Sequence, residues 1–60
     1  MKACWALQNL RYVMFFPLNT SREVMRQARK NDPDMKYAKI VGIIQAKPEY
    51  INGKKYKREN

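Results

Sequence analysis

"LRYVMFFPLNTSREVMRQARKNDPD", Leu10 to Asp34, carries two hydrophobic periods in succession, and the point where one gives way to the other decides the architecture. From Leu10 to Leu18 the residues are aromatic, β-branched or long and apolar. Leu10, Tyr12, Met14, Phe16 and Leu18 fall on one side of a pleat, with Val13 and Phe15 on the other. With both sides largely apolar, the stretch reads as a central or doubly covered strand, and Pro17 marks its exit. The period then changes. Thr20 or Ser21 can cap a helix, Glu23 sits in its first turn beside the positive dipole end, and Asn31 with Asp32-Pro33 ends it. At about 100° per residue, Val24, Met25 and Ala28 share one arc, and Arg22, Arg26, Arg29 and Lys30 another. The helix is therefore predicted to lie on a sheet by an apolar floor and to carry a basic flank.

Working outward, "MKYAKIVGIIQAK" (Met35–Lys47) reads as a further strand. Ala38, Ile40, Ile44 and Ala46 are expected on one face, Val41 and Ile43 on the other, with Gly42 a place for a bulge or close packing. Strand, helix, strand makes a βαβ unit; were its two strands adjacent and parallel, the crossover would be right-handed. At the start, "KACWAL" is either another strand turning at Gln8-Asn9 or one helical turn that tucks Trp5 into the core; the strand is the favoured reading. At the end, Asn52-Gly53 is a two-residue type I′ hairpin signal. That register pairs Ile51 with Lys54, Tyr50 with Lys55 and Glu49 with Tyr56. The expected fold is α+β: a small single-layer sheet of three to four strands with one helix packed on one face, (β)βαβ(β), forming a single domain over residues 1–60.

Composition narrows the function. Thirteen Lys and Arg against five Asp and Glu leave +8, and the chain has no histidine and one cysteine. Residues 1–35 carry six basic and three acidic side chains, residues 36–60 seven and two, so the C-terminal part is the more basic. Such a field favours encounter with polyanions and says nothing about fold. Cys4 alone closes no internal disulfide, and zinc would lack its usual ligands, so no metal and no cofactor is expected. Catalysis is not expected either. Asp32 and Asp34 flank a proline in a turn, no glycine-rich phosphate loop exists, and Cys4 has no base beside it. No stretch approaches the ~18 apolar residues of a membrane span, and Gln8, Asn9 and Arg11 interrupt any leader-like apolar run. A lone cysteine fits a reducing compartment, and the expected location is the cytoplasm.

Two basic surfaces remain as candidate binding sites. Arg22, Arg26 and Arg29, four and three residues apart, can line one ridge with Lys30 and meet phosphates or carboxylates bidentately. In the expected hairpin, Tyr50, Lys55 and Lys57 fall on the outer face beside Lys54, a composition able to stack a base and touch phosphate. Each has a plainer account. A surface helix needs a solvated face, and lysines on an edge hairpin prevent edge-to-edge aggregation. The favoured function is a non-enzymatic protein-binding module, an inhibitor, adaptor or small subunit docking on an acidic face of a larger protein or assembly. Two elements rather than one continuous stripe carry the charge, and no base-reading set is visible. The alternative is a nucleic-acid-binding protein that grips the phosphate backbone through the helix flank and the Lys/Tyr hairpin. A small core also makes self-association into a homo-oligomer an open expectation. The strand-helix-strand plan recurs in small phage proteins that modify their host and in ribosome-associated subunits, an analogy of architecture alone.

Overall fold

A computed structural model describes residues 1–58. Four strands and one α-helix follow in the order β1 (Lys2–Gln8), β2 (Tyr12–Phe16), α1 (Arg22–Asn31), β3 (Lys39–Ala46) and β4 (Lys55–Lys57), with 3₁₀ turns at Pro33–Met35 and Pro48–Tyr50. The sheet order is β3-β1-β2-β4, and every neighbouring pair is antiparallel. The N-terminal strand is present as favoured, turning through Asn9, and β2 is the core of the strand expected over Leu10–Leu18. Because β1 runs antiparallel to both β2 and β3, those two strands are parallel to each other with β1 between them. The βαβ unit is thus split rather than adjacent.

The capping grammar is realised at Ser21, whose Oγ accepts from the Val24 amide at 3.2 Å, while Asp32 leaves the helical region and caps the following 3₁₀ turn from its side chain. Met25 is the buried anchor of α1 and Ala28 packs partly beneath it, but Val24 is 52% exposed, so the apolar floor is narrower than its periodicity suggests. Leu7, Met14, Phe16, Met25, Met35 and Ala38 form the core between sheet and helix, with Trp5, Tyr12 and Ile40 packed against it.

The bulge offered by Gly42 is present and rearranges β3. Ala6 pairs with Gly42 but Leu7 with Ile40, so Val41 is an extra residue, and Gly42 takes φ 121°, where a side chain would be strained. One extra residue inverts the alternation. Ile40 joins the helix-side core, whereas Ile44 and Ala46, opposite Cys4 and Lys2, lie on the other face; the single face expected for Ile40, Ile44 and Ala46 is divided between the two sides.

The Asn52-Gly53 hairpin is not formed. Pro48 starts a 3₁₀ turn instead of a strand, and the Asn52 side chain takes over the backbone bonds a hairpin would use, accepting from the Lys54 amide at 2.8 Å and donating to the Glu49 carbonyl at 3.0 Å. Residues 55–57 pair with the free edge of β2, Val13 opposite Tyr56, and Gly53 donates its N–H to the Phe15 carbonyl at 2.9 Å. At Gly53, with φ 74°, a Cβ would crowd the Phe16 ring at 3.2 Å, so both backbone and space favour glycine there.

Candidate binding surfaces

The basic helix flank is exposed as the period predicts. Arg22, Arg26, Arg29 and Lys30 all lie on the solvent side of α1, and Arg26, Arg29 and Lys30 border one shallow hollow with Glu23 and Gln27. Arg29 also has a structural duty: its guanidinium donates to the Ala38 carbonyl at 3.0 Å and ties the helix to the entry of β3.

The Lys/Tyr group, by contrast, is dispersed. Lys55, opposite Met14 in the ladder, faces the helix side, and its ammonium sits between the carboxylates of Asp32, at 3.1 Å, and Asp34, and 5.1 Å from the centre of the Tyr12 ring. Hydrogen bonds to Asp34 and then to Asp32 hold Lys55 charged and push its pKa above the usual lysine value. The Lys55 hydrogen bond, helped by the Asp34 amide, holds Asp32 below the usual carboxylate value. Lys55 is therefore engaged within the chain, while Lys54 and Lys57 are exposed. Tyr50 stands edge-on to Tyr56, ring centres 5.1 Å apart, and Tyr56 shares a face with Val13, away from Lys55. Tyr50, Lys55 and Lys57 do not form one outer face, and the helix flank lies across the sheet from the two tyrosines.

Two further surfaces were not singled out from the sequence. One is the end of the sheet at the β1–β2 turn. Leu10 and Tyr37, each 82% exposed, together line two adjoining hollows, and Val41, 55% exposed at the bulge, joins the second. The backbone beneath them is held in place. Asn9 accepts from the Arg11 and Tyr12 amides at 2.9 and 2.8 Å and donates to the Asp34 and Lys36 carbonyls at 2.7 and 3.1 Å. Its own carbonyl takes an N–H from the Arg58 guanidinium at 2.7 Å. Tyr37, next to that knot, adopts φ 66°, the left-handed region a tyrosine enters at a cost of about 1–3 kcal/mol. The charged residues lining these hollows are Arg11, Lys36, whose ammonium lies 5.4 Å from the Tyr37 ring centre, Lys39, Arg58 and one acidic residue, Asp34.

The other is the sheet face opposite the helix. Cross-strand register places Lys39, Gln8, Val13 and Tyr56 in one row and Gly42, Ala6 and Phe15 in the next. Cys4 and Ala6 have no exposed surface, while Phe15, Ile44 and Tyr56 are half-buried and Tyr50 is 42% exposed. A shallow hollow of ≈ 610 Å³ lies along this face, bordered at β4 by Lys57 and Arg58. Its signal in the sequence was the alternation of β1, which puts Cys4, Ala6 and Gln8 on one side of the pleat.

Among the described residues no group of His, Cys, Asp or Glu is arranged to hold a metal ion, and no helix is long and apolar enough to cross a membrane. Burial pushes the Cys4 thiol up, away from the thiolate. Comparisons with protein-family models, with curated proteins and with solved structures find no match to this chain.

Proposed function

We propose that this protein is a non-catalytic binding module that docks on an acidic face of a larger protein, as an inhibitor, adaptor or small subunit, and does so with the Leu10–Tyr37 end of its sheet. The carrying observation is the pair itself: two neighbouring side chains, each 82% exposed, at a turn that the Asn9 side chain fastens to the Asp34 and Lys36 carbonyls. Contiguous exposed apolar groups on a rigid base are what a partner's pocket buries, and tyrosine is among the residues that anchor interfaces. Arg11, Lys36 and Lys39 around the pair supply a cationic rim, which sets orientation and speeds encounter with an acidic surface. The expected compartment is the cytoplasm, supported by a single cysteine held buried as a thiol.

The test is affinity capture with the tagged chain from a nuclease-treated lysate of its own cells, run in parallel with Leu10→Ser/Tyr37→Ala. Proteins held by the parent, released by added salt and absent from the double variant support the reading. Capture that disappears with nuclease, or that the double variant reproduces, overturns it.

A further inference from the structure

We infer that the sheet face opposite the helix is a binding site for single-stranded nucleic acid, with bases stacking on Phe15, Tyr56 and Tyr50. This goes beyond the docking end, whose Leu10 and Tyr37 take no part here, although Lys39 borders both surfaces. The face has the three features such a ligand requires. Aromatic rings come first: Phe15 lies on the central strand β2 and Tyr56 on the neighbouring edge strand, and Tyr50 stands beside Tyr56. Any base offers a π-face to such rings whatever its sequence. Next is room for a base to reach them. The row beside Phe15 continues through Ala6 to Gly42, and a hollow of ≈ 610 Å³ lies along the face there.

The third feature is electrostatic. None of the ten residues that line the hollow is acidic. Two of the chain's acidic groups, Asp32 and Asp34, are engaged by Lys55 on the helix side. On that face the register places Lys2 at one end and Lys39 at the other, with Arg58 along the β4 border. Phe15 lies between the Lys2 and Lys39 ends of the face, and Tyr56 and Tyr50 stand toward the β4 border with Arg58, so a strand laid on it meets both rings and cations. Gln8, half-buried in the row between Lys39 and Val13, presents an amide that can donate to and accept from a base edge. A duplex offers none of this fit, because its bases are already stacked on each other and closed within the helix. An acidic peptide would satisfy the lysines but leave the rings unused. For these reasons the face favours a single-stranded nucleic acid over both.

The experiment is fluorescence anisotropy with end-labelled oligo-rU and oligo-dT of about 12 nucleotides, within the span one small fold covers, against a duplex of equal length. The parent should bind the single strands more tightly than the duplex. Phe15→Leu and Tyr50→Leu keep apolar bulk but remove a ring; each should weaken binding by about 5- to 150-fold while leaving the salt dependence unchanged. Lys2→Ala and Lys39→Ala should each lower the slope of log K against log salt by about 0.7. Gln27→Ala, on the helix, should bind as the parent does. Circular dichroism of every variant keeps a folding defect apart from a binding defect. If Phe15→Leu proves unfolded, Tyr50→Leu on the exposed ring decides the point. Duplex bound as tightly as single strand overturns the inference. So does loss of binding on replacing Arg26 and Lys30 but not the rings, or binding of poly-glutamate with no binding of either oligonucleotide at low salt.

Discussion

Replacing Asn9 by aspartate tests whether the turn of β1–β2 is fastened as described. The substitution preserves shape and keeps the two acceptor bonds from the Arg11 and Tyr12 amides. It removes the two donor bonds, those to the carbonyls of Asp34 at 2.7 Å and Lys36 at 3.1 Å, and turns an anion toward two carbonyl oxygens. Each net hydrogen bond is worth about 0.5–1.5 kcal/mol, so the lost pair amounts to about 1–3 kcal/mol. Since a core of this size supplies no more than about 3–5 kcal/mol, that is a large share of the whole, equivalent to a fall in Tm of about 8–16 °C at a mid-range 2 kcal/mol.

Urea denaturation of parent and variant near neutrality, followed by circular dichroism, measures the loss. A variant as stable as the parent would refute the fastening role of Asn9.

Three further outcomes are expected. Met25 is 3% exposed and Gln27 lies on the solvent side of the helix, so Met25→Asp should abolish the cooperative thermal transition while Gln27→Asp leaves it within about 0.5 kcal/mol of the parent; equal melting of the two would sink the helix placement. Lys55 depresses the pKa of Asp32, and a depressed carboxylate adds stability that is present above its unfolded pKa and lost as pH falls through the folded one. The parent should thus exceed Lys55→Met in urea midpoint near neutrality and lose that advantage below pH ~3.8, a series of midpoints against pH deciding the matter. Cys4 has no exposed surface and a raised pKa, so a thiol reagent should modify it only at the rate of opening, and rapid titration in the native protein would contradict its burial.

Most of the architecture was legible because local and tertiary preferences agree where they are strongest. The alternation over Tyr12–Phe16, the serine cap and the Asp-Pro stop each describe a single element, and each is realised. What escaped reading depended on partners far along the chain. Asn52-Gly53 carries a strong local turn signal, yet the edge of β2 offers residues 55–57 a ladder that the nearby "PEYI" cannot match once Pro48 has entered a 3₁₀ turn. A bulge at Gly42 was foreseen as an option, but not that it divides Ile40 from Ile44, since the slip is set by pairing with β1. Of the candidate site, the helix arginines were legible as an exposed flank. The engagement of Lys55 was not, for its two carboxylates lie more than twenty residues away in sequence. Leu10 read as part of the apolar strand face, and only the turn at Asn9 places it in solvent.

Among the described residues one helix packs on the four-stranded sheet, and α1 covers one side only. The other side must be closed by what its own strands carry, and Cys4 and Ala6, both without exposed surface, show that larger neighbours close over the small ones. Such a thin layer stabilises less than a second helix would, since the rings keep part of their area in water. That residual exposure is also what a ligand can use. A strand of nucleic acid stacked on Phe15, Tyr50 and Tyr56 would complete the missing layer and raise stability by RT ln(1 + [L]/Kd), about 2.7 kcal/mol at a hundredfold excess over Kd. In a domain whose core supplies about 3–5 kcal/mol, occupancy of the open face would rival folding itself in magnitude. The ligand would then act as part of the fold, and its effect would appear as a rise in melting temperature as well as a binding isotherm.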